Sequence, residues 1–164
     1  MKNLTILILL LVGTLNLNAQ DFRQAIGLRG GLTPGFEYRF YTDETNSYKF
    51  LLSSRDNGIQ LHGIKEFHQF GLFSFTDQLV FIYGLGIHAG YVQFTTERFY
   101  YTTHYYERTA AIIAGLDALA GVEYNFLKVP VSVGIEAKPY FDLFGRHVFH
   151  IQPFDFAFTI KYLF

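Results

Sequence analysis

The last eleven residues, 154–164, restrict the fold of this chain more than any other stretch. Every even position holds a large apolar residue, whereas the odd positions are mostly small or polar and include Asp155 and Lys161. The even set is Phe154, Phe156, Phe158, Ile160, Tyr162 and Phe164. Because successive side chains of a strand point to opposite faces, this alternation predicts a strand with one aromatic face and one polar face. Such a strand fits either the core of a soluble sandwich or the wall of a membrane barrel.

The first twenty residues favour the membrane barrel, because they have the pattern of an export signal. A basic start at Lys2 precedes an apolar run from Leu4 to about Leu17 and a small-residue exit at 18–20. The run is shorter than the roughly 20 residues that cross a bilayer as a helix, and its flanks are those of a cleaved signal peptide. We therefore predict a signal peptide over residues 1–20 and one outer-membrane β-barrel domain over residues 21–164.

Composition excludes several classes of protein. Half of the residues are hydrophobic, 19% are aromatic and 16% are charged. No apolar run after the signal is long enough for a membrane helix, so a closed barrel is the remaining way to satisfy the backbone in lipid. The formal net charge is -1 and there is no basic patch, so no nucleic-acid partner is expected. With no cysteine, the chain has neither disulfides nor thiolate chemistry.

Eight alternating segments separated by turn signals cover the rest of the chain. Most are near the nine to eleven residues that a tilted strand needs to cross a membrane, and their number is even. The sequence thus predicts an all-β fold, an eight-stranded antiparallel up-and-down transmembrane β-barrel that follows a cleaved signal peptide. The predicted segments are 23–32, 36–42, two segments flanking residues 57–58, then 79–93, 109–126, 131–144 and 154–164.

Two positions make local predictions. Asn57-Gly58 is a strong hairpin signal, and as a two-residue loop it would pair Asp56 with Ile59 and place Lys49 opposite Glu66. Pro139 lies inside a segment of a barrel that should have no edge, so it predicts a bulge or a strand end.

The polar faces of the segments carry a nearly balanced set of charges. In a soluble sandwich these residues would face water, but the aromatic character of the opposite face favours a lipid-facing exterior. An eight-stranded barrel has an interior just wide enough for side chains, so we expect a structural ion-paired network in the lumen and no open pore. The network is predicted to contain Arg29, Glu37, Arg39, Lys49, Arg55, Glu66, Asp117, Glu123, Glu136, Lys138 and Lys161. His62, His88, Asp142 and Asp155 share the same face.

The C-terminal segment resembles the closing strand of Gram-negative outer-membrane β-barrel proteins, in which such a strand serves as the assembly signal. The resemblance assigns this role to Ile160, Tyr162 and Phe164. Residues 26–32 and 121–126 are also similar to small eight-stranded barrels of the OmpA/OmpX type. The resemblance implies a monomer in the cell outer membrane. Its implied partners are outer-membrane lipid and, during insertion, the barrel assembly machinery.

The connection between residues 94 and 108 is the longest and the richest in tyrosine. One interpretation is that it extends the two flanking strands as a ribbon that binds a surface protein or glycan. The interpretation we favour is an aromatic girdle with a hairpin that shields the rim. The candidate surface contacts are Phe99, Tyr100, Tyr101, His104, Tyr105 and Tyr106.

Nothing in the sequence predicts catalysis, a cofactor or a metal site. Asp117 and Glu123 would lie about 20 Å apart along a strand, which is too far for a glycosidase pair. The six histidines lack the ligand spacing of a zinc site. Ser53 and Ser54 are the only serines near the expected outer rim, and no order of a catalytic triad is evident.

The predicted function is therefore a non-enzymatic outer-membrane barrel with a structural or surface-interaction role. Two alternatives stay open. A lipid-modifying enzyme of the deacylase or acyltransferase type needs a serine and a histidine within about 3 Å of each other at the lipid-facing rim. A carrier of a small hydrophobic molecule needs an apolar cavity that opens through the wall.

Overall fold

The computed structural model describes the backbone of residues 23–100, 103–145 and 149–164, and the side chains of these residues except 96–107. The predicted signal peptide lies outside the described residues. The described chain is built from strands, and it contains no helix long and apolar enough to cross a membrane. The strands are β1 Gln24–Gly31, β2 Gly35–Tyr41, β3 Asn46–Arg55, β4 Gly58–Gln69, β5 Leu79–Tyr100, β6 Thr103–Asn125, β7 Val131–Ala137, β8 Tyr140–Phe144, β9 His150–Gln152 and β10 Phe156–Leu163.

These strands form one closed antiparallel sheet. Its order is β5-β4-β3-β2-β1-β10-β7-β6-β8-β9, and an additional β5–β6 pairing closes the ring. β7 and β8 both pair with β6, and they pair with β10 and β9 respectively. β7 and β8 are therefore the two parts of one interrupted barrel strand, and β9 and β10 are the two parts of its neighbour. The predicted all-β, eight-stranded antiparallel up-and-down barrel is confirmed.

The two interruptions lie side by side. Lys138 and Pro139 separate β7 from β8, which confirms the strand end predicted at the proline. Residues 153–155 separate β9 from β10, and the backbone N–H of Lys138 donates to the carbonyl oxygen of Asp155 at 2.8 Å. The wall thus stays hydrogen-bonded across the break.

The register of the β3–β4 hairpin differs from the prediction by two residues. Asp56 and Asn57 have φ angles of 47° and 54°, so they occupy the two central turn positions, and Arg55 pairs with Gly58. Lys49 therefore lies opposite Ile64, so the predicted cross-strand pairing of Lys49 with Glu66 is wrong, although the two side chains still approach to 3.8 Å across the diagonal. The glycine is needed for another reason: a Cβ at residue 58 would collide with the backbone of the neighbouring strand. Since the shift is even, every side chain keeps its face.

The tyrosine-rich connection is a continuation of two strands. β5 and β6 run seven and six residues beyond their predicted limits of 93 and 109, and they pair as far as Tyr100 and Thr103. The last β5 residue that pairs with β4 is Tyr91, so the residues beyond it form a two-stranded ribbon. The backbone of this connection thus forms a ribbon, and its role in binding stays a prediction.

The barrel has two mouths. One mouth, which we call the terminal mouth, is surrounded by the strand ends near Gln24 and Phe164 and by residues 42–45. The turn at residues 56–57 and the β8–β9 connection flank the other, which we call the hairpin mouth. A small buried apolar cluster lines part of the inner face between them, and it consists of Ile64, Val80, Ile82 and Leu119.

Candidate functional site

Charged side chains fill the interior of the barrel. Arg39 is 1% exposed, and Lys49 and Lys138 are fully buried. A buried charge without a partner costs several kcal/mol, so each of these side chains requires a carboxylate. The structure supplies one in every case.

The half of the interior toward the terminal mouth is a continuous network of arginine, lysine and glutamate. Arg39 binds Glu66 at 2.6 Å and Glu123 at 2.8 Å. Lys49 binds Glu37 at 2.7 Å and Glu136 at 2.6 Å. These charges come from β2, β3, β4, β6 and β7, so the network ties opposite walls of the barrel together.

Two further cations extend this network. Arg29 binds Glu136 at 2.7 Å and Asp155 at 3.2 Å. Lys161 lies 3.1 Å from Glu37 and also pairs with Glu123. The last strand is therefore joined to the network through its own inward charges.

The half toward the hairpin mouth is organised around one carboxylate, which accepts from two histidines. Nδ1 of His62 lies 2.8 Å from Oδ2 of Asp117, and Nδ1 of His88 lies 3.1 Å from Oδ1. The remaining ring nitrogens are also bonded. Nε2 of His62 lies 2.9 Å from Oγ of Ser53, and Nε2 of His88 lies 2.9 Å from Oδ1 of Asp142. We call these five residues the histidine cluster.

Strand register brings the cluster together. His62 lies directly opposite His88 on β4 and β5, and Asp117 on β6 lies opposite Gly86. A side chain at Gly115 would press on the ring of His88, so the glycine leaves the space that the imidazole occupies. The cluster is therefore held by the four neighbouring strands β3, β4, β5 and β6 and by β8.

Each mouth leads to a cavity. The one at the hairpin mouth measures about 370 Å³, and Arg55 and Asp142 lie at its lining with Nη2 and Oδ2 2.8 Å apart. The guanidinium carbon of Arg55 lies 4.2 Å from the ring centroid of Tyr140. The cavity at the terminal mouth measures about 1000 Å³, and its lining includes His68 and Glu123.

A polar turn borders the terminal mouth at residues 42–45. The carboxylate of Asp43 accepts from the side chain of Asn46 at 2.9 Å and from the backbone and hydroxyl of Thr45 at 2.8 Å. These hydrogen bonds, first those of Asn46 and then those of Thr45, lower the pKa of the Asp43 carboxyl. These hydrogen bonds stabilise the charged form of Asp43 and hold together the turn between β2 and β3.

The residues predicted for the lumen network all lie on the inner face. Arg55, nearest to the hairpin mouth, is the least buried of them, with its side chain 9% exposed. Of the predicted assembly-signal residues, Ile160 and Tyr162 lie on β10 and Phe164 directly follows it. Ile160 and Phe164 are exposed, and the rings of Tyr162 and Phe164 stack at 6.3 Å. Of the candidate surface contacts, Tyr101 lies outside the described residues. The others lie on the backbone of the ribbon: Phe99, Tyr100, His104, Tyr105 and Tyr106.

Sequence reasoning missed the histidine cluster. Alternation places His62, His88 and Asp117 inside, but it cannot show that they share one level along the barrel axis. To find them from the sequence, one would need the β4–β5 register. That register depends on how the irregular nine-residue connection 70–78 spans the two strands. Their mutual contact is a product of strand stagger.

The structure bears on both alternatives. Ser53 and His62 meet the distance that the enzyme alternative requires, but they face the lumen and are 2% and 0% exposed, away from any lipid-facing rim. An apolar groove of about 480 Å³ lies on the outer wall between Phe81, Phe156 and Phe158. Behind this groove, Glu136 is engaged by Arg29 and Lys49, so the groove ends on ion pairs.

The strand pairing and the interior define a small closed β-barrel of eight strands with a charged lumen. No family model matches this chain, and no curated protein matches it. Among solved structures, it is similar to the N-terminal β-barrel domain of Pseudomonas aeruginosa OprF. The TM-score is 0.46 at 9% identity, over 86% of this chain and 95% of that chain.

Proposed function

We propose that this protein is an integral β-barrel of the bacterial outer membrane, with a structural or surface-interaction role and no catalytic activity. The observation that carries the proposal is the inversion of polarity across the wall. Leu85, Ile112 and Phe158 are 70%, 81% and 75% exposed on the outside, whereas Asp117 and Glu123 on β6 and Lys161 on β10 are buried inside. Monomeric soluble proteins rarely expose a continuous apolar band of this kind.

Aromatic pairs support the two interfaces that a membrane barrel requires. Near the terminal mouth, ring centroids lie 5.3 Å apart in Phe67–Tyr83 and 5.0 Å apart in Tyr124–Phe126. Near the hairpin mouth, the rings of Phe141 and Phe149 stack at 5.8 Å. Aromatic girdles at both interfaces are a feature of outer-membrane barrels.

Lys65 is exposed between the buried residues Ile64 and Glu66, so it lies on the apolar outer face, and its surroundings suit an interfacial position. Its ammonium lies 5.2 Å from the ring centroid of Phe67, inside the aromatic band near the terminal mouth. A lysine at this level can lay its stem on apolar surface while its charge reaches water.

In the proposed orientation, the terminal mouth faces the periplasm and the ribbon projects outside the cell. The ribbon is the element that would contact a surface protein or glycan, while Ile160, Tyr162 and Phe164 would present the assembly signal to the insertion machinery. A monomer in lipid needs no further partner to cover its apolar exterior.

Absence of catalysis is part of the proposal, and the burial of Ser53 supports it. A serine nucleophile has to reach a substrate, but Ser53 is enclosed by the lumen network below and by the Arg55–Asp142 pair above. The variant Ser53→Ala should therefore leave the lipid composition of the outer membrane unchanged. Altered acylation in cells that express wild type but not the variant would contradict this.

Fractionation and electrophoresis test the membrane assignment. Expressed in a Gram-negative host, the full chain should sediment with outer membranes, resist extraction by urea and migrate faster unboiled than boiled. Recovery as a soluble periplasmic protein that needs no detergent would refute the proposal.

A ribbon deletion tests the surface role separately. Residues 95–108 would be replaced by an Asn-Gly turn, so that the ladder partners Phe94 and Thr109 flank the two-residue loop and the barrel strands stay intact. The shortened chain should keep its heat-modifiable mobility but lose binding of whole cells to a host-glycan array or a surface-protein array. Equal binding by both chains would assign any interaction to another loop.

A further inference from the structure

We propose that His62, His88 and Asp117 form a binding site for a divalent transition metal ion of the Zn²⁺ type, inside the half of the barrel toward the hairpin mouth. The proposal does not depend on where the protein resides, because the cluster lies within the barrel in either case. It adds a binding activity to a protein for which the proposed function is structural.

The three residues supply ligand atoms at suitable separations. One ring nitrogen of each histidine and a carboxylate oxygen of Asp117 all lie within 4.8 Å of one another. Zn²⁺ takes its nitrogen and oxygen ligands at about 2.0 to 2.2 Å, which puts neighbouring ligands of a tetrahedral ion about 3.3 Å apart. The two N–O separations, 2.8 Å from His62 to Oδ2 and 3.1 Å from His88 to Oδ1 of the same carboxylate, are close to that value. An ion would take the place of the protons that now lie between Nδ1 and the carboxylate.

The other side of each imidazole is held as in metal sites. A metal-binding histidine commonly uses its second nitrogen to bond to a carboxylate or another polar group, which fixes the ring and leaves the first nitrogen free for the ion. Here Nε2 of His88 bonds to Asp142 and Nε2 of His62 bonds to Ser53, each at 2.9 Å. Both rings therefore direct Nδ1 toward the same carboxylate.

The ligand set selects the class of ion. Two imidazoles with one carboxylate are typical of zinc and of neighbouring transition metals, whereas magnesium and calcium prefer oxygen ligands. Three protein ligands would leave a fourth position for water. Lys138 lies 3.6 Å from Asp117 and 3.3 Å from Asp155, so it keeps a carboxylate partner when the ion arrives.

A cavity lies beside the site on the same side. The cavity at the hairpin mouth is lined by Asp56, His150 and Asp142, which are all groups that bind such ions weakly. Asp142 bonds directly to His88, so a residue that lines the cavity also contacts the proposed site.

The experiment titrates Zn²⁺ into the full chain, refolded in detergent micelles, stripped with chelator and carrying no histidine tag. Calorimetry should give one ion per chain, and Co²⁺ should show the visible absorption bands of a four- or five-coordinate site. His62→Gln and His88→Gln should each lose this binding, and Asp142→Asn should weaken it by about 10- to 100-fold through its ring contact.

His68→Gln is the matched control, because His68 also lies on β4 and bonds to a serine at 2.8 Å but does not belong to the proposed ligand set. It should bind Zn²⁺ like wild type. Heat-modifiable mobility shows whether each variant is folded. Zn²⁺ binding that persists in His62→Gln and His88→Gln would overturn the proposal. So would a wild-type chain whose Co²⁺ spectrum equals that of the hydrated ion, a result that needs no variant to fold.

Discussion

The two halves of the lumen contain the same Ser–His contact in different surroundings. β3 and β4 place Ser47 beside His68 toward the terminal mouth and Ser53 beside His62 toward the hairpin mouth. The Oγ–Nε2 distances are 2.8 and 2.9 Å. What differs is the position of the carboxylate.

Toward the terminal mouth, the carboxylate lies on the serine: the hydroxyl of Ser47 donates to Glu66 at 3.0 Å, and Glu66 also binds Arg39. Toward the hairpin mouth, the carboxylate lies on the second ring nitrogen, where Asp117 holds His62. In the first arrangement, the carboxylate contacts the arginine and the serine, and the histidine contacts the serine. In the second arrangement, the carboxylate contacts the histidine itself, as a metal site requires.

The largest effect is expected from removing a permanent charge in the half toward the terminal mouth. Lys49→Met leaves three carboxylates, Glu37, Glu66 and Glu136, without the ammonium that lies within 4 Å of each. Breaking a buried ion pair costs about 3 to 5 kcal/mol, so the urea midpoint followed by circular dichroism in micelles should fall sharply. Lys65→Met on the outer face is the matched control, with a change of about 0.5 kcal/mol or less. Similar midpoints for the two variants would contradict an ion-paired lumen.

A smaller loss is expected in the half toward the hairpin mouth. Asp117→Asn keeps the shape of the side chain but offers a single acceptor oxygen to two histidines. One ring nitrogen then loses its acceptor, which costs about 1 to 3 kcal/mol in the same urea assay. Asp142 still holds His88, and Asp155 still holds Lys138. A loss larger than that of Lys49→Met would mean that the histidine cluster, and not the salt-bridge network, dominates stability.

The two serines separate the halves further. Ser47→Ala removes contacts to both Glu66 and His68, whereas Ser53→Ala removes the contact to His62. A hydrogen bond contributes about 1 kcal/mol, and one to a charged group about 1.5 to 3, so Ser47→Ala should lower the urea midpoint more. The reverse order would show that the hydroxyl of Ser53 has a further buried partner.

The smallest effect is expected at the rim of the terminal mouth. Asp43→Ala removes the hydrogen bonds to Thr45 and Asn46. Since these bonds lower the pKa of Asp43 in the folded chain, their stabilisation is complete above the pKa of the unfolded chain. It is lost as the pH falls through the folded value. Urea midpoints of wild type and variant should differ slightly at neutral pH and converge in acid. A difference that grows in acid would contradict this assignment.

Much of the fold could be predicted from alternation. The faces of the strands, the even strand number and the strand end at Pro139 all follow from local patterns, and the structure agrees with them. Two local predictions differ from the structure. The hairpin turned one residue earlier than Asn57-Gly58 suggested, because Asp56 accepts a positive φ and Gly58 is needed beside Tyr91. The limits of β5 and β6 were placed too early, because the polar and aromatic residues between 94 and 108 were interpreted as a connection, with a ribbon as the alternative.

The sequence by itself determined which side chains face inward, because a period of two is a local property of each strand. Only the tertiary structure decided which inward residues meet. Lys49 contacts Glu136, and His62 contacts Asp117, through strands that are far apart in sequence. These meetings depend on turn geometry and on the stagger that closes the ring. A shift of two residues in a single hairpin leaves the alternation unchanged and yet changes every directly opposite partner across that hairpin.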